Sequence, residues 1–460
     1  MSLLAQLGFK NAPFQVYLNT GTMYDLHTGV FVPGTHGGMV LNGGLTNTNA
    51  FVGRPKMFKS TELFSFMTRS MVIYPRSEAA VKDTEFAQKP ARIAQFAPNA
   101  ALHGLEDRII VTTPDVMSAE EFFELIKKTA EHRLKHIDEF TVNSAILDPK
   151  TGKPVRMFIP MFVVFDSWSK LMSSFMMSTL DTKQVGSSDT NMIYMKDGNI
   201  KKLLMAQLPV LAARAGIYFL LSAHVGNKYD LNPYAPSSKD LPHMKSSDKL
   251  KEVGSDFSFV ISNASQMSKV NLLQSDTKED ALYPCEGSNN AELSEVVSVL
   301  TSCKNNAGGT TLNMVVSQKQ GILSDLSNYH YLRTNDYFGL AGNKTSHTPM
   351  LTDITVGRTK IREKLNDPSL CRALQILAEL CYIQNNWITV GASVDFTMKP
   401  EILAENLLGT DKPAIKDILS SRGYWTYDEK NTQTYLSTYD VLAIAQNKYV
   451  PKLVGVKTTV

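Results

Sequence analysis

The stretch "GRPKMFKST", residues 53–61, gathers the residue types that can hold a phosphate chain: a glycine, five intervening positions, then an amine beside a hydroxyl. Lys59 can reach the outer phosphates of a nucleoside triphosphate and Ser60 can ligate Mg²⁺. The backbone of Gly53, Arg54, Pro55, Lys56, Met57, Phe58 and Thr61 can curl round the anion where a helix begins. Phe58 stands where the usual pattern has a second glycine. It is expected in the first helical turn, where negative φ tolerates a Cβ, with Gly53 at the turn itself. The same residues also suit an ordinary turn before a helix.

Three further positions carry compatible chemistry. Glu85 follows an apolar strand in "VKDTEFAQKPARIAQF" and can polarise an attacking water. Asp166 ends the buried strand "MFVVFD" and can hold Mg²⁺ through Ser60 or a water. His224 ends "IYFLLSAH", where it can sense a terminal phosphate and pass its state to the loop that follows. Each has a plainer reading: a solvated acidic turn, an aspartate closing a strand, a structural histidine.

These groups need a sheet to converge on. "MFIPMFVVFD" and "AGIYFLLSAH" are continuous apolar runs of strand length, as expected for strands covered on both faces, with a helical stretch over roughly 200–215 between them. "MSAEEFFELIKKTAEHRLKHI" reads as an amphipathic helix with Ser118 as N-cap and Glu121 closing a capping box. Strands alternating with helices imply an α/β domain with a largely parallel sheet, whose chemistry gathers at the strands' carboxyl ends. Long polar stretches at 173–199 and 225–254 each follow a buried strand and read as functional loops. The polar segment 264–350 is expected to elaborate the sheet's far edge, and helical sequence resumes near 368.

Bulk properties add little. The 460 residues are 43% hydrophobic with a formal charge of +3, enough for a large core and too little charge to announce nucleic acid. Four scattered cysteines form neither a C-x-x-C pair nor a disulfide framework, and no apolar run is long enough to span a bilayer. A reducing cytoplasm is the expected setting, with no membrane partner.

The order of phosphate loop, D-x-E, Asp-ended strand and polar-ended strand resembles the RecA-type recombinases, most closely the UvsX-type recombinases of T-even-like bacteriophages. Those phage proteins also carry Phe-Lys-Ser in place of Gly-Lys-Ser, matching Phe58, Lys59 and Ser60. "DTEFAQKPARI" resembles the family's catalytic-glutamate segment, "VVFDSWSKL" its Walker B strand, and "SAHV" its sensor strand. The resemblance implies a RecA-like P-loop ATPase core using ATP and Mg²⁺. Arg92 stands where relatives place an aromatic on adenine, and its guanidinium can also stack on a ring. Two DNA-binding loops are implied at about 172–198 and 225–253. The second carries Lys228, Tyr229, Tyr234, Lys239, His243, Lys245, Lys249 and Lys251, lysines for phosphates and tyrosines for bases.

"LTDITVGRTKIREKL" resembles a strand whose cations reach a neighbouring subunit's ATP; alternation would put Arg358, Lys360 and Arg362 on one face, with Arg358 and Lys360 the expected catalytic cations. The expectation is thus an N-terminal arm (1–30), an ATPase core (31–365) and a small, mainly helical C-terminal domain (366–460). The implied activity is a DNA-dependent ATPase: a filament-forming, single-stranded-DNA-binding recombinase of phage replication and repair, with mediator and single-strand-binding proteins as further partners. The rival readings are a ring-shaped helicase on the same core and a structural DNA-binding protein whose loop has lost catalysis.

Overall fold

The computed structural model describes residues 6, 14–98, 100–182, 190–228, 239–254, 256–275, 277, 280–285, 288–302, 308–386, 393–408 and 415–451. In chain order, β1 (Val30–Pro33) and β2 (Met39–Asn42) form an antiparallel hairpin, and β3 (Thr48–Gly53), β4 (Glu78–Asp83) and β5 (Ile109–Thr112) enter the main sheet. A second hairpin follows, β6 (Thr141–Leu147) with β7 (Pro154–Phe158). Next come β8 (Met161–Asp166), β9 (Ile217–Asn227) and β10 (Asp248–Leu250). The main sheet is completed by β11 (Asn263–Leu272), β12 (Leu293–Ser302), β13 (Gly308–Ser317) and β14 (Gly321–Ile322), and a short antiparallel hairpin follows, β15 (Leu340–Gly342) with β16 (His347–Pro349).

Among the described residues the main sheet has ten strands in the order β14-β13-β12-β11-β3-β9-β8-β4-β5, with β10 alongside β9. From β11 to β5 every neighbouring pair is parallel, whereas β12, β13 and β14 extend the β11 edge antiparallel. These three strands lie within the segment 264–350.

Period-two alternation splits the apolar strands between two cores. Phe51, Phe162, Val164 and Leu220 face one cluster with the helix Lys59–Ile73; Val52, Val163, Phe165 and Leu221 face another with the helices Ala119–Lys135 and Thr190–Ala215. Covered on both faces, these strands could afford no polar alternation, which is why they read as continuous apolar runs. Phe165 shows the packing: it meets Phe122 edge-on at 5.5 Å, Phe123 at 5.7 Å and Trp168 at 5.0 Å. The capping box is present as expected, Ser118 Oγ accepting from Glu121 N–H at 3.2 Å while Glu121 accepts from Ser118 N–H at 2.8 Å. Helices between 368 and 445 pack into the first cluster, where Asp440 accepts from Met39 N–H at 2.8 Å and lies 2.9 Å from His36 Nε2.

Two sequence expectations are corrected. The stretch read as a loop over 172–198 contains the helix Ser174–Thr182, and the helix expected from 200 begins at Thr190. The strand expected to align Arg358, Lys360 and Arg362 does not form: Val356 makes an isolated bridge to His347, then 358–360 turn into the helix Ile361–Lys364. The two N–H···O bonds at His347 complete that pairing, and Lys360 N–H returns to Gly357 O at 3.0 Å, closing a turn where the strand would have continued.

One buried carboxylate makes stability pH-dependent. Glu62, 1% exposed in the first turn of the helix Lys59–Ile73, accepts hydrogen bonds from Ser265 of β11 and, at 3.0 Å, from Ser298 of β12. Burial pushes its carboxyl up from 4.5 to about 7 against those hydrogen bonds. The folded chain therefore retains a proton that the unfolded chain releases above 4.5; the contribution is complete below that pH and is lost as pH rises through 7. Glu62→Gln removes the titration while keeping the shape. Thermal unfolding is expected to show the variant gaining on wild type from pH 5 to 8, reaching about 3 kcal/mol. Parallel pH profiles would contradict this.

Candidate functional site

Strand register brings the chemistry together before any side chain is considered. Gly53 lies opposite His224 across β3 and β9, Asp83 opposite Asp166 across β4 and β8, and Phe165 opposite Leu221 across β8 and β9. The carboxyl ends of four parallel strands thus meet at one rim. Alternation then puts Asp166, Ser222 and His224 on the face that carries the helix Lys59–Ile73.

Between β3 and that helix, residues 54–58 form a tight loop. Phe58 is the helix N-cap with φ 62°, and Lys56 has φ 63°. This corrects the expectation for Phe58: it lies one position before the first turn, in the left-handed region where the usual glycine costs nothing. Gly53 instead ends β3, and a Cβ there would come 3.1 Å from Met267 Cβ. A Cβ in the left-handed region costs roughly 1–2 kcal/mol, partly offset at Phe58 by packing against the first core. Phe58→Gly and Phe58→Ala lose the same ring but only glycine relieves the backbone. Chemical denaturation should therefore find the glycine variant more stable by about 1 kcal/mol; an alanine variant of equal or greater stability would refute the assignment.

The loop, the helix start and the β4 turn enclose a cavity of about 540 Å³ lined by residues 55–61 with Glu85, Gln88, Arg92 and His224 among others. Lys59, 7% exposed, donates from Nζ to Arg54 O at 3.0 Å. Burial draws its ammonium below the ordinary lysine range, while Asp166 and Glu85 push it back up. Ser60 Oγ donates to Asp166 Oδ1 at 3.0 Å and Ser222 Oγ to the same oxygen at 2.6 Å; Gln88 Nε2 lies 3.4 Å from Oδ2. Asp166 is 2% exposed, and burial holds its carboxyl above the usual range.

Glu85 Oε1 lies 2.7 Å from His224 Nε2 and accepts from Ser167 Oγ at 3.3 Å. The hydrogen bond from His224 is the main reason its carboxyl sits below the ordinary glutamate range, so Glu85 is a carboxylate at neutral pH. His224 is also held by its backbone: its N–H donates to Ser169 Oγ at 2.9 Å and its carbonyl accepts from Lys251 N–H at 2.9 Å.

Several supporting residues had escaped the sequence reading. Asp83 accepts from the N–H groups of Glu85 at 3.0 Å and Gln88 at 2.7 Å, shaping the turn that aims both side chains. Thr84 ties β4 to β8, its N–H donating to Asp166 O at 2.8 Å and its hydroxyl to Ser167 O at 3.0 Å. The Asp166–Ser167 peptide is cis. A signal for Ser222 was present, since it stands two residues before His224 on a strand and must share its face.

Other expected residues are committed to partners of their own or lie outside the cavity. Arg54 turns away from the cavity to Asp248 Oδ1 and Asn227 Oδ1, each at 2.8 Å. Arg92 donates to the carbonyls of Gln318 and, at 2.9 Å, Lys319, with its guanidinium 4.7 Å from the Phe96 ring centre. Arg358 donates to Ala281 O at 3.3 Å and Leu282 O at 3.2 Å, while Lys360 pairs with Glu363 at 3.1 Å; neither lines this cavity. Lys239, Lys245, Lys249 and Lys251 are exposed, Lys228 is half-buried with its N–H on Ser247 O, and Tyr229 and Tyr234 lie outside the described residues.

Fold and site together define a mixed α/β protein with a mostly parallel, helix-flanked sheet, a strand–loop–helix turn and two carboxylates at the sheet's rim. No family model and no curated protein sequence matches the chain. Among solved structures it is similar to one titled "Crystal structure of the RadB recombinase", at 13% identity and a TM-score of 0.32, over 61% of this chain and 92% of that one. No helix among the described residues is long and apolar enough to cross a membrane.

Proposed function

We propose that the chain is an ATP- and Mg²⁺-dependent, single-stranded-DNA-binding recombinase of the phage type that assembles as a filament. One observation carries the reading: Lys59, Ser60, Glu85 and His224 line one cavity of about 540 Å³, and Asp166 is joined to it through Ser60 Oγ. That volume suits a nucleotide-sized ligand.

Residues 54–61 would hold the phosphates, Lys59 neutralising the outermost. Arg92 and Phe96 would border the base. Ser60 and Asp166 fit Mg²⁺: a hydroxyl and a buried, cation-short carboxylate are hard oxygen donors, and phosphates would complete the set. Bound there, the ion would neutralise charge on the phosphate oxygens. Glu85 would orient the attacking water and accept its proton, released for that task when His224 exchanges Glu85 for phosphate. The His224–Lys251 backbone bond would then transmit nucleotide state to the exposed lysines of 239–251, which would contact DNA. Arg358 and Lys360 would serve a neighbouring subunit. Phage mediator and single-strand-binding proteins would be its further partners, in the host cytoplasm.

Arg92 gives the catalytically silent reading its one support, because carbonyls of 318 and 319 already occupy its guanidinium. ATP turnover measured with and without single-stranded DNA separates the readings. Turnover stimulated by DNA is expected; DNA binding with no turnover under any condition would select the structural protein, and closed rings in micrographs the helicase.

A further inference from the structure

The helix Thr190–Ala215 packs over β3 and β9, and its outer face is unusual. Met195, Leu203 and Val210 are 73%, 67% and 54% exposed, and at 100° per residue they fall within about an 80° arc that also holds exposed Ala206 and Ala213 and one polar residue, Asn199. Around them stand Lys196, Lys202 and Arg214, all exposed, with no exposed acidic residue on the helix among those described. Lys202 is 3.6 Å from Asp256, and Lys196 lies over the Phe175 ring at 4.9 Å. An apolar stripe of this width on a helix normally faces a partner.

A surface of opposite character lies at the end of the sheet. β5 is the terminal strand of the main sheet. Ile110 within it is 70% exposed, and Leu102 and Val116, on either side of it in sequence, are 84% and 72% exposed. The acidic residues of this segment, Glu106, Asp107 and Asp115, are all exposed. Exposed apolar residues in and flanking an edge strand, with exposed carboxylates among them in sequence, complement a helix face bordered by amines and a guanidinium. A second copy of the same chain supplies both.

We propose that the Thr190–Ala215 face of one copy docks on the β5 edge of the next. The two surfaces are different, so the contact is head-to-tail, and each added copy presents a fresh surface of each kind; such contacts build open filaments, or rings if the rotation closes. The inference shares self-assembly with the proposed function but needs none of its nucleotide chemistry.

The test uses two full-length variants at exposed positions, Leu203→Glu and Ile110→Glu, checked for native circular dichroism and studied by sedimentation velocity with and without ATP, Mg²⁺ and single-stranded DNA. Wild type is expected to form multimers that weaken as salt rises. Each variant alone should associate at least tenfold more weakly. Mixed in equal amounts, the two should form a 1:1 dimer and stop, because each retains one intact surface. A variant that assembles like wild type, or a mixture that stays monomeric while wild type assembles, overturns this interface and leaves the recombinase reading standing. A wild type that never self-associates overturns both the interface and the filament.

Discussion

Lys59→Met is expected to lower ATP turnover by about 10²–10³-fold, the usual cost of losing one fixed donor to developing charge, and to weaken ATP binding in equilibrium titration. Neither nearby arginine can replace the amine, because Arg54 is committed to Asp248 and Arg92 to two carbonyls, and Lys56, the other lysine of the lining, is exposed to solvent. Melting temperature should move the other way or stay level. Burial already disfavours the charged ammonium, and its one hydrogen bond, to Arg54 O, holds the loop weakly. Loss of activity without loss of stability is the mark of a functional lysine. A variant that keeps full turnover would remove Lys59 from the chemistry and with it the nucleotide reading.

Glu85→Gln should lower turnover by about 10²–10⁴-fold, the range for a positioned general base, while ATP affinity changes less than threefold. The separation follows from the geometry. Glu85 stands across the cavity from the phosphate-holding loop, and its anion is maintained chiefly by His224. Glutamine keeps a hydrogen-bonding partner for His224 and Ser167 but cannot take a proton. Because His224 holds the carboxyl below the ordinary glutamate range in the nucleotide-free protein, kcat/KM, which reports the free enzyme's groups, should show no fall attributable to Glu85 from pH 8 down to pH 5. Stopped-flow nucleotide binding beside steady-state turnover checks both statements; parallel losses in binding and turnover would make Glu85 a structural residue.

The candidate site was legible because its members lie in short, strongly patterned segments. An uninterrupted apolar run says that a strand is covered on both faces, and its last residue must then emerge at the rim, which places Asp166; β9 runs on to Asn227, and His224 reaches the rim because it lies opposite Gly53, where β3 ends. Ser118 and Glu121 defined their helix start by side chain-to-backbone bonds that need only four residues.

What the tertiary structure decided depends on distant partners. Phe58 takes left-handed backbone because β3 and the helix must join within five residues, a constraint no local propensity reveals. Arg54 and Arg92 find acceptors 173 or more positions away, on β9, β10 and the turn after β13. Arg358 sits on a turn because Val356 has only an isolated bridge to hold a strand. Sequence determined which strands are buried and which polar residues end them, because burial and alternation act over a few neighbours. Register, loop geometry and the partners of each long cation were left to the fold, because they are set by contacts whose closure no short window of sequence contains.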